Sequence, residues 1–121
     1  MTNTNIQTKL KTYINKYTNK DQNLEVETIQ EITESLINFE DKKVMENMSD
    51  KEFSDFLECD VNINIFNTNQ EFLKWYYEDE NSAYNLIEDL ANYKNIDDLV
   101  KSLLNDYTYQ FKNGLIINLM F

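Results

Sequence analysis

The chain is expected to fold as an α+β protein, mostly helical, with a small antiparallel sheet that includes a C-terminal Asn-Gly hairpin. Three observations carry that expectation. Apolar residues recur at spacings of three and four through much of the length, the period of one helix face. Ser or Thr precedes several of those runs with Glu three positions later, the pattern of a capping box. Finally, Asn113-Gly114 stands between Tyr107–Lys112 and Leu115–Phe121, and Asn-Gly accepts positive φ at low cost, as a type I′ hairpin turn requires. There is no proline, one glycine, and no low-complexity run or repeat, so residues 1–121 read as one acidic globular domain.

Ile6, Leu10, Tyr13, Ile14 and Tyr17 predict an amphipathic helix over 5–18. Thr28 with Glu31 predicts a capping box opening a second helix, whose apolar stripe is Ile29, Ile32, Leu36 and Ile37. Asp41 to Met48 reads as a short turn of helix, and Ser49 with Glu52 caps the next, ahead of Phe53, Phe56 and Leu57. Val61-Asn62-Ile63-Asn64-Ile65 alternates with period two, as a half-buried strand does. Thr68 and Glu71 cap a helix in which Phe72, Trp75 and Tyr76 hold core spacing and Tyr77 is the aromatic expected at the surface. Another helix runs near Ser82–Tyr93. Asn95 then precedes a helix carrying Ile96, Leu99, Val100, Leu103 and Leu104, with Asp97 and Asp98 complementing its dipole. On the last strand Leu115, Ile117, Leu119 and Phe121 share one side, and Ile116, Asn118 and Met120 the other, with Phe121 expected in the core.

Charge is the most informative compositional feature. There are 22 Asp and Glu against 11 Lys, with no Arg and no His, for a net −11. Such a surface repels nucleic acid and anionic membrane, and its natural partners are basic proteins. With 41% hydrophobic and 13% aromatic residues the chain carries enough apolar surface for a core, unlike a disordered acidic segment. Charge is uneven: residues 1–20 hold four Lys and no acid, residues 21–60 thirteen acids and three Lys. Lys9, Lys11, Lys16 and Lys20 read as a solvated cationic face rather than a nucleic-acid site.

Cys59 is the only cysteine, so no internal disulfide forms, and the N-terminus lacks a charged-then-apolar leader. The apolar run Leu115–Phe121, interrupted by Asn118, falls far short of the ~20 residues a membrane helix needs. The expectation is the host bacterial cytoplasm and no membrane. Eighteen Asn and lysine in place of arginine fit the coding bias of AT-rich genomes, shared by phages and plasmids of low-GC bacteria.

Without His, and with its one Gly in the hairpin, the chain cannot assemble the usual zinc site, calcium loop, phosphate loop or His-activated nucleophile. No enzyme activity and no cofactor are expected. Acidic constellations remain. Glu27, Glu31 and Glu34 fall on the helix face opposite Ile29, Ile32 and Leu36, roughly 5–6 Å apart along the axis. Glu52, Asp55 and Glu58 form a second stripe, and Glu78-Asp79-Glu80 a compact run beside Tyr77. Such stripes keep a helix face soluble; on a chain this acidic they also suit a groove that holds phosphates.

Leu10-Lys11-Thr12-Tyr13-Ile14 and Glu25-Val26-Glu27-Thr28-Ile29-Gln30-Glu31-Ile32 resemble the N-terminal helices of the staphylococcal uracil-DNA glycosylase inhibitors, small acidic proteins that mimic DNA. The resemblance covers about residues 9–37 and implies an acidic contact region at Glu27 and Glu31. In composition the chain is also similar to phage anti-CRISPR and antirestriction inhibitors. The resulting expectation is an inhibitor that binds a basic host protein, namely a CRISPR effector, restriction enzyme or repair enzyme, and does not itself bind nucleic acid. Uracil-DNA glycosylase inhibition is the second reading, and a toxin-immunity protein is the rival from another class.

Overall fold

Strand β3 (Ile116–Leu119) runs through the middle of the molecule, with β1 (Ile63–Phe66) and β2 (Thr108–Gln110) antiparallel on either side in the order β1-β3-β2. The computed structural model describes residues 4–18, 24–78, 80–105 and 107–121, the side chains of 80–84 excepted. Around the sheet lie helices α1 (Thr4–Lys16), α2 (Val26–Phe39), α3 (Lys42–Glu46), α4 (Asp50–Asp55), α5 (Asn69–Tyr76), α6 (Glu80–Asn92) and α7 (Ile96–Leu103). The mostly helical α+β architecture is therefore as the patterning predicts.

Register divides the sheet into two faces. Ile63 pairs with Leu119, and Ile65 and Tyr109 both pair with Ile117. These side chains join α1, α2, α3 and α4 in one core, built on Ile6, Leu10, Ile14, Ile29, Ile32, Leu36, Met45 and Phe53. On the opposite face Phe66 and Gln110 pair with Ile116, and Asn64 and Thr108 with Asn118. There Phe66 and Ile116 meet Phe72, Leu73, Leu99 and Val100 of α5 and α7 in a second core. Every residue from Leu115 to Leu119 is buried, because β3 is covered on both faces.

Several local devices match the sequence signals. Both Ser49–Glu52 and Thr68–Glu71 close reciprocal capping boxes, and the Asn95 side chain accepts the Asp98 N–H. Asp41 caps α3 by accepting from the amides of Lys43 and Val44.

Four expectations need correction. The Thr28–Glu31 box does not form: α2 starts at Val26, one turn earlier, with Glu25 as its N-cap. The Glu25 carboxylate reaches across to accept the Lys112 N–H at 2.9 Å, which ties the helix start to the hairpin loop. Lys9 is not a solvated cation, since its Nζ donates to the carbonyls of Met45, Glu46 and Met48 at 2.9, 2.8 and 2.6 Å. It thereby closes the C-terminal end of α3, where a positive charge is favoured. The hairpin turn is not type I′. Among the described residues only Gly114 (φ 94°) and Asn62 have positive φ, so Asn113 does not share the left-handed region. The Gly114 N–H bonds Phe111 O and the Phe111 N–H bonds Leu115 O, giving a three-residue connection with glycine at the left-handed position. Finally, Phe121 is not in the core: it is 42% exposed.

One element has no counterpart in the sequence reading. After α4 the helix widens into a π-turn over Phe56–Val61, ended by Asn62 in the left-handed region (φ 55°, ψ 58°). The i→i+5 bonding of a π-turn brings Val61 under Phe56, so both are buried and Glu58, Cys59 and Asp60 face outward. An α-helical continuation would have turned Cys59 and Asp60 toward the core instead. Asn tolerates the left-handed region better than most residues, which suits it to the reversal into β1.

Candidate protein-interaction site

The acidic residues are divided by the sheet. Glu27, Glu31 and Glu34 are exposed on α2, with their apolar neighbours Ile29, Ile32 and Leu36 fully buried beneath. Among the described residues the carboxylates of Glu27 and Glu31 have no hydrogen-bond or ion-pair partner, while Glu34 accepts from Gln30 Nε2 at 3.4 Å.

The second stripe is partly committed to the fold. Glu52 closes the capping box, and the Ser49 amide and hydroxyl hold its carboxyl below the usual range. Glu58 accepts hydroxyl protons from Tyr13 (3.3 Å) and Tyr17 (3.1 Å). Burial, and then Glu58 itself, pushes the Tyr13 hydroxyl up, and the bond to Glu58 does the same for Tyr17. Asp55 is exposed.

On the other side of the sheet Glu78 is exposed at the end of α5. Asp79 lies outside the described residues, and Glu80 opens α6 with its side chain outside them. Tyr77 corrects the sequence reading. It is 8% exposed, and its hydroxyl donates to Asp89 at 2.7 Å, with burial the first cause that pushes it up. The exposed aromatic of the run Trp75-Tyr76-Tyr77 is Tyr76, at 45%. The swap follows from α5 ending at Tyr76: Tyr77 adopts a non-helical backbone and folds back against α6.

The structure also assembles a surface the sequence reading missed. Phe121 stacks on Phe39 (ring centroids 4.6 Å) and meets Tyr107 edge-on (5.1 Å), while Phe39 also approaches Phe56. Phe39, Tyr107, Met120 and Phe121 are each close to half exposed. The Met120 N–H bonds Val61 O, which fixes this terminal segment beside the π-turn. An exposed cluster of this kind is a candidate interaction surface. Acids border it in sequence: Glu40 follows Phe39, and Asp60 precedes Val61. An apolar centre with a charged rim is the anatomy of a protein interface. The missed signal was position: each aromatic sits at the end of an element or beyond it, where helical or strand period predicts nothing.

Met120 joins this patch to a cleft of about 370 Å³, which it lines with Phe72, Trp75, Tyr76, Glu78, Leu103, Asn105, Thr108 and Asn118. A row of polar side chains crosses all three strands here. Asn64 Nδ2 donates to Asn118 Oδ1 (3.4 Å), Asn118 Nδ2 to Thr108 Oγ1 (2.9 Å), and Thr108 Oγ1 to Asn105 Oδ1 (3.0 Å). The row follows from register, since Asn64 and Thr108 are both cross-strand partners of Asn118.

The chain matches no family model, no curated protein and no solved structure. Among the described residues no helix is long and apolar enough to cross a membrane. The surface offers half-exposed aromatics, carboxylates with no internal partner on α2, and a cleft lined by α5, α7 and the sheet.

Proposed function

We propose that this chain is a non-enzymatic inhibitor carried by a phage or mobile element. It docks on the basic nucleic-acid groove of a bacterial defence nuclease, in an anti-CRISPR-like role. The observation that carries the reading is the coincidence of net charge −11 with an exposed aromatic cluster centred on Phe121. Carboxylates pair with the Lys and Arg that otherwise hold phosphates, and the aromatics supply the buried anchors that dominate binding energy. The same surface fits no nucleic acid directly, since phosphate binding needs clustered cations. Inhibition of uracil-DNA glycosylase is the second reading, favoured by Glu27 and Glu31 standing exposed and unpartnered on α2 within the segment that resembles that family.

The test is inhibition of purified CRISPR effectors, restriction enzymes and uracil-DNA glycosylase, with a DNA gel shift on the isolated protein as control. One enzyme class should be inhibited, with an association rate falling about tenfold from low to physiological salt. Replacing Glu27, Glu31 and Glu34 together with Lys moves the net charge from −11 to −5 and should slow association further. A micromolar gel shift, or a salt-independent association rate, would refute the electrostatic reading. Retention of a toxin and of no nuclease would replace it with an immunity role.

A further inference from the structure

We infer that the cleft between α5, α7 and the sheet receives an arginine side chain of the partner protein, an inference that rests on the inhibitor reading above. Size comes first. At about 370 Å³ the cleft lies at the small end of ligand pockets, which span ~300–1,000 Å³, and suits one long side chain entering from the surface.

Charge comes second. Among the described residues Glu78 is the charged one in its lining. Two other clefts set a lysine beside each carboxylate, Lys74 with the same Glu78 in one and Lys101 and Lys112 with Asp97 in the other, whereas this cleft has no lysine among its described lining residues. A cation is therefore directed to this cleft in preference to those.

The walls and floor then select among cations. Trp75 is held before any partner arrives, packed on Phe66 (5.2 Å) and Phe72 (6.1 Å), and Tyr76 beside it is 45% exposed. Aromatic faces attract a guanidinium, which stacks on them as a plane, more effectively than an ammonium, which is a compact and strongly hydrated point charge. Asn118 Oδ1, which lines the cleft, accepts among the described residues only the long 3.4 Å bond from Asn64, which leaves acceptor capacity for a further N–H. Glu78 accepts at the rim. A guanidinium with five donors in one plane can stack on the walls and donate to both acceptors at once. Met120, which lines the cleft, leads into Phe121, so an inserted arginine would be flanked by the aromatic patch that excludes water from it.

The test uses the intact chain, with N-acetyl-arginine amide and N-acetyl-lysine amide as probes read by amide and indole NMR shifts. Trp75 is the single tryptophan, so its indole N–H reports on this cleft alone. The arginine probe should shift the Trp75 indole and the Asn118 side-chain amide along a saturable millimolar curve, with the lysine probe at least threefold weaker. Glu78→Gln and Tyr76→Ala change exposed side chains and should each weaken the arginine probe about fivefold while leaving the remaining spectrum in place. Equal binding of the two probes, shifts confined to the α2 and α4 carboxylates, or indifference to Glu78→Gln would each overturn the inference. Failure here alongside salt-sensitive nuclease inhibition would remove the arginine cleft and leave the inhibitor reading standing. Saturable arginine binding with no enzyme inhibited would support the cleft and remove that reading.

Discussion

Leu119 ends the final strand and Phe121 lies two residues beyond it in a different environment, so replacing each with alanine separates core from contact surface. Leu119 is 3% exposed, sits in the first core, and pairs with Ile63 across the sheet. Leu→Ala at such a site costs about 2–5 kcal/mol through lost transfer free energy and the cavity left behind. Phe121 is 42% exposed and rests on Phe39 and Tyr107. A fully buried Phe side chain contributes about 1.5–3 kcal/mol, so the covered part is worth roughly 1–2 kcal/mol. For a chain of 121 residues, 1 kcal/mol corresponds to about 4 °C in Tm. Thermal unfolding followed by circular dichroism should therefore show Leu119→Ala lower by about 12 °C and Phe121→Ala by about 4–8 °C. Target binding should invert the order. Measured below both transitions, Phe121→Ala should lose at least about thirtyfold in affinity, as a central aromatic anchor does, while Leu119→Ala should lose little. Equal Tm losses would place Phe121 in the core, and unchanged affinity of Phe121→Ala would remove the aromatic cluster from the interface.

Three further expectations follow from the same contacts. Lys9→Met keeps the aliphatic stem but removes three charge-assisted bonds to the carbonyls at the end of α3, so urea unfolding should show a loss of about 2–3 kcal/mol; a neutral result would mean Lys9 is solvated after all. The Tyr77 hydroxyl ionises above its ordinary value of 10.0 in the folded state, so its contribution is complete below about pH 10 and is lost as pH rises beyond it. The stability gap between the natural chain and Tyr77→Phe, read as Tm from pH 8 to 11, should accordingly narrow above pH 10, and a gap that widens would contradict the Tyr77–Asp89 bond. Gly114→Val should cost about 1–3 kcal/mol because φ is 94° there, and more than Asn113→Ala, which removes the side-chain oxygen that accepts the Leu115 N–H; the reverse order would restore the type I′ turn.

Much of the fold was legible because its signals are local. A capping box needs two side chains three residues apart, and the Ser49 and Thr68 boxes formed where the sequence placed them. The Thr28 box failed because a distant group competed: Glu25, recruited by the Lys112 amide, starts the helix one turn early. Tyr76 and Tyr77 exchanged roles for a similar reason. Helical period assigns faces only while the helix lasts, and α5 stops between them. The π-turn was illegible because Phe56 and Val61 share a face only at i→i+5 spacing, which neither the helix nor the strand template contains. At the candidate site, the sequence located the exposed α2 carboxylates, but the aromatic patch gathers Phe39, Tyr107 and Phe121 from three segments distant in the chain. Only tertiary structure joins them.

The carboxylates themselves divide into those the fold uses and those it does not. Asp41, Glu52 and Glu71 cap helices, Glu25 holds the hairpin loop, and Glu58 and Asp89 accept tyrosine hydroxyls. Each of these has a folding role that an uncharged acceptor such as Asn or Gln would fill in part, without adding to the charge. The carboxylates of Glu27 and Glu31 are exposed and make no hydrogen bond or ion pair among the described residues, although Glu27 stands in the first turn of α2, where a negative charge is favoured. Net charge far from zero burdens a compact state through self-repulsion. In the proposed inhibitor role, carboxylates that add to that burden without a bond inside the chain would be neutralised by the basic groove of the partner.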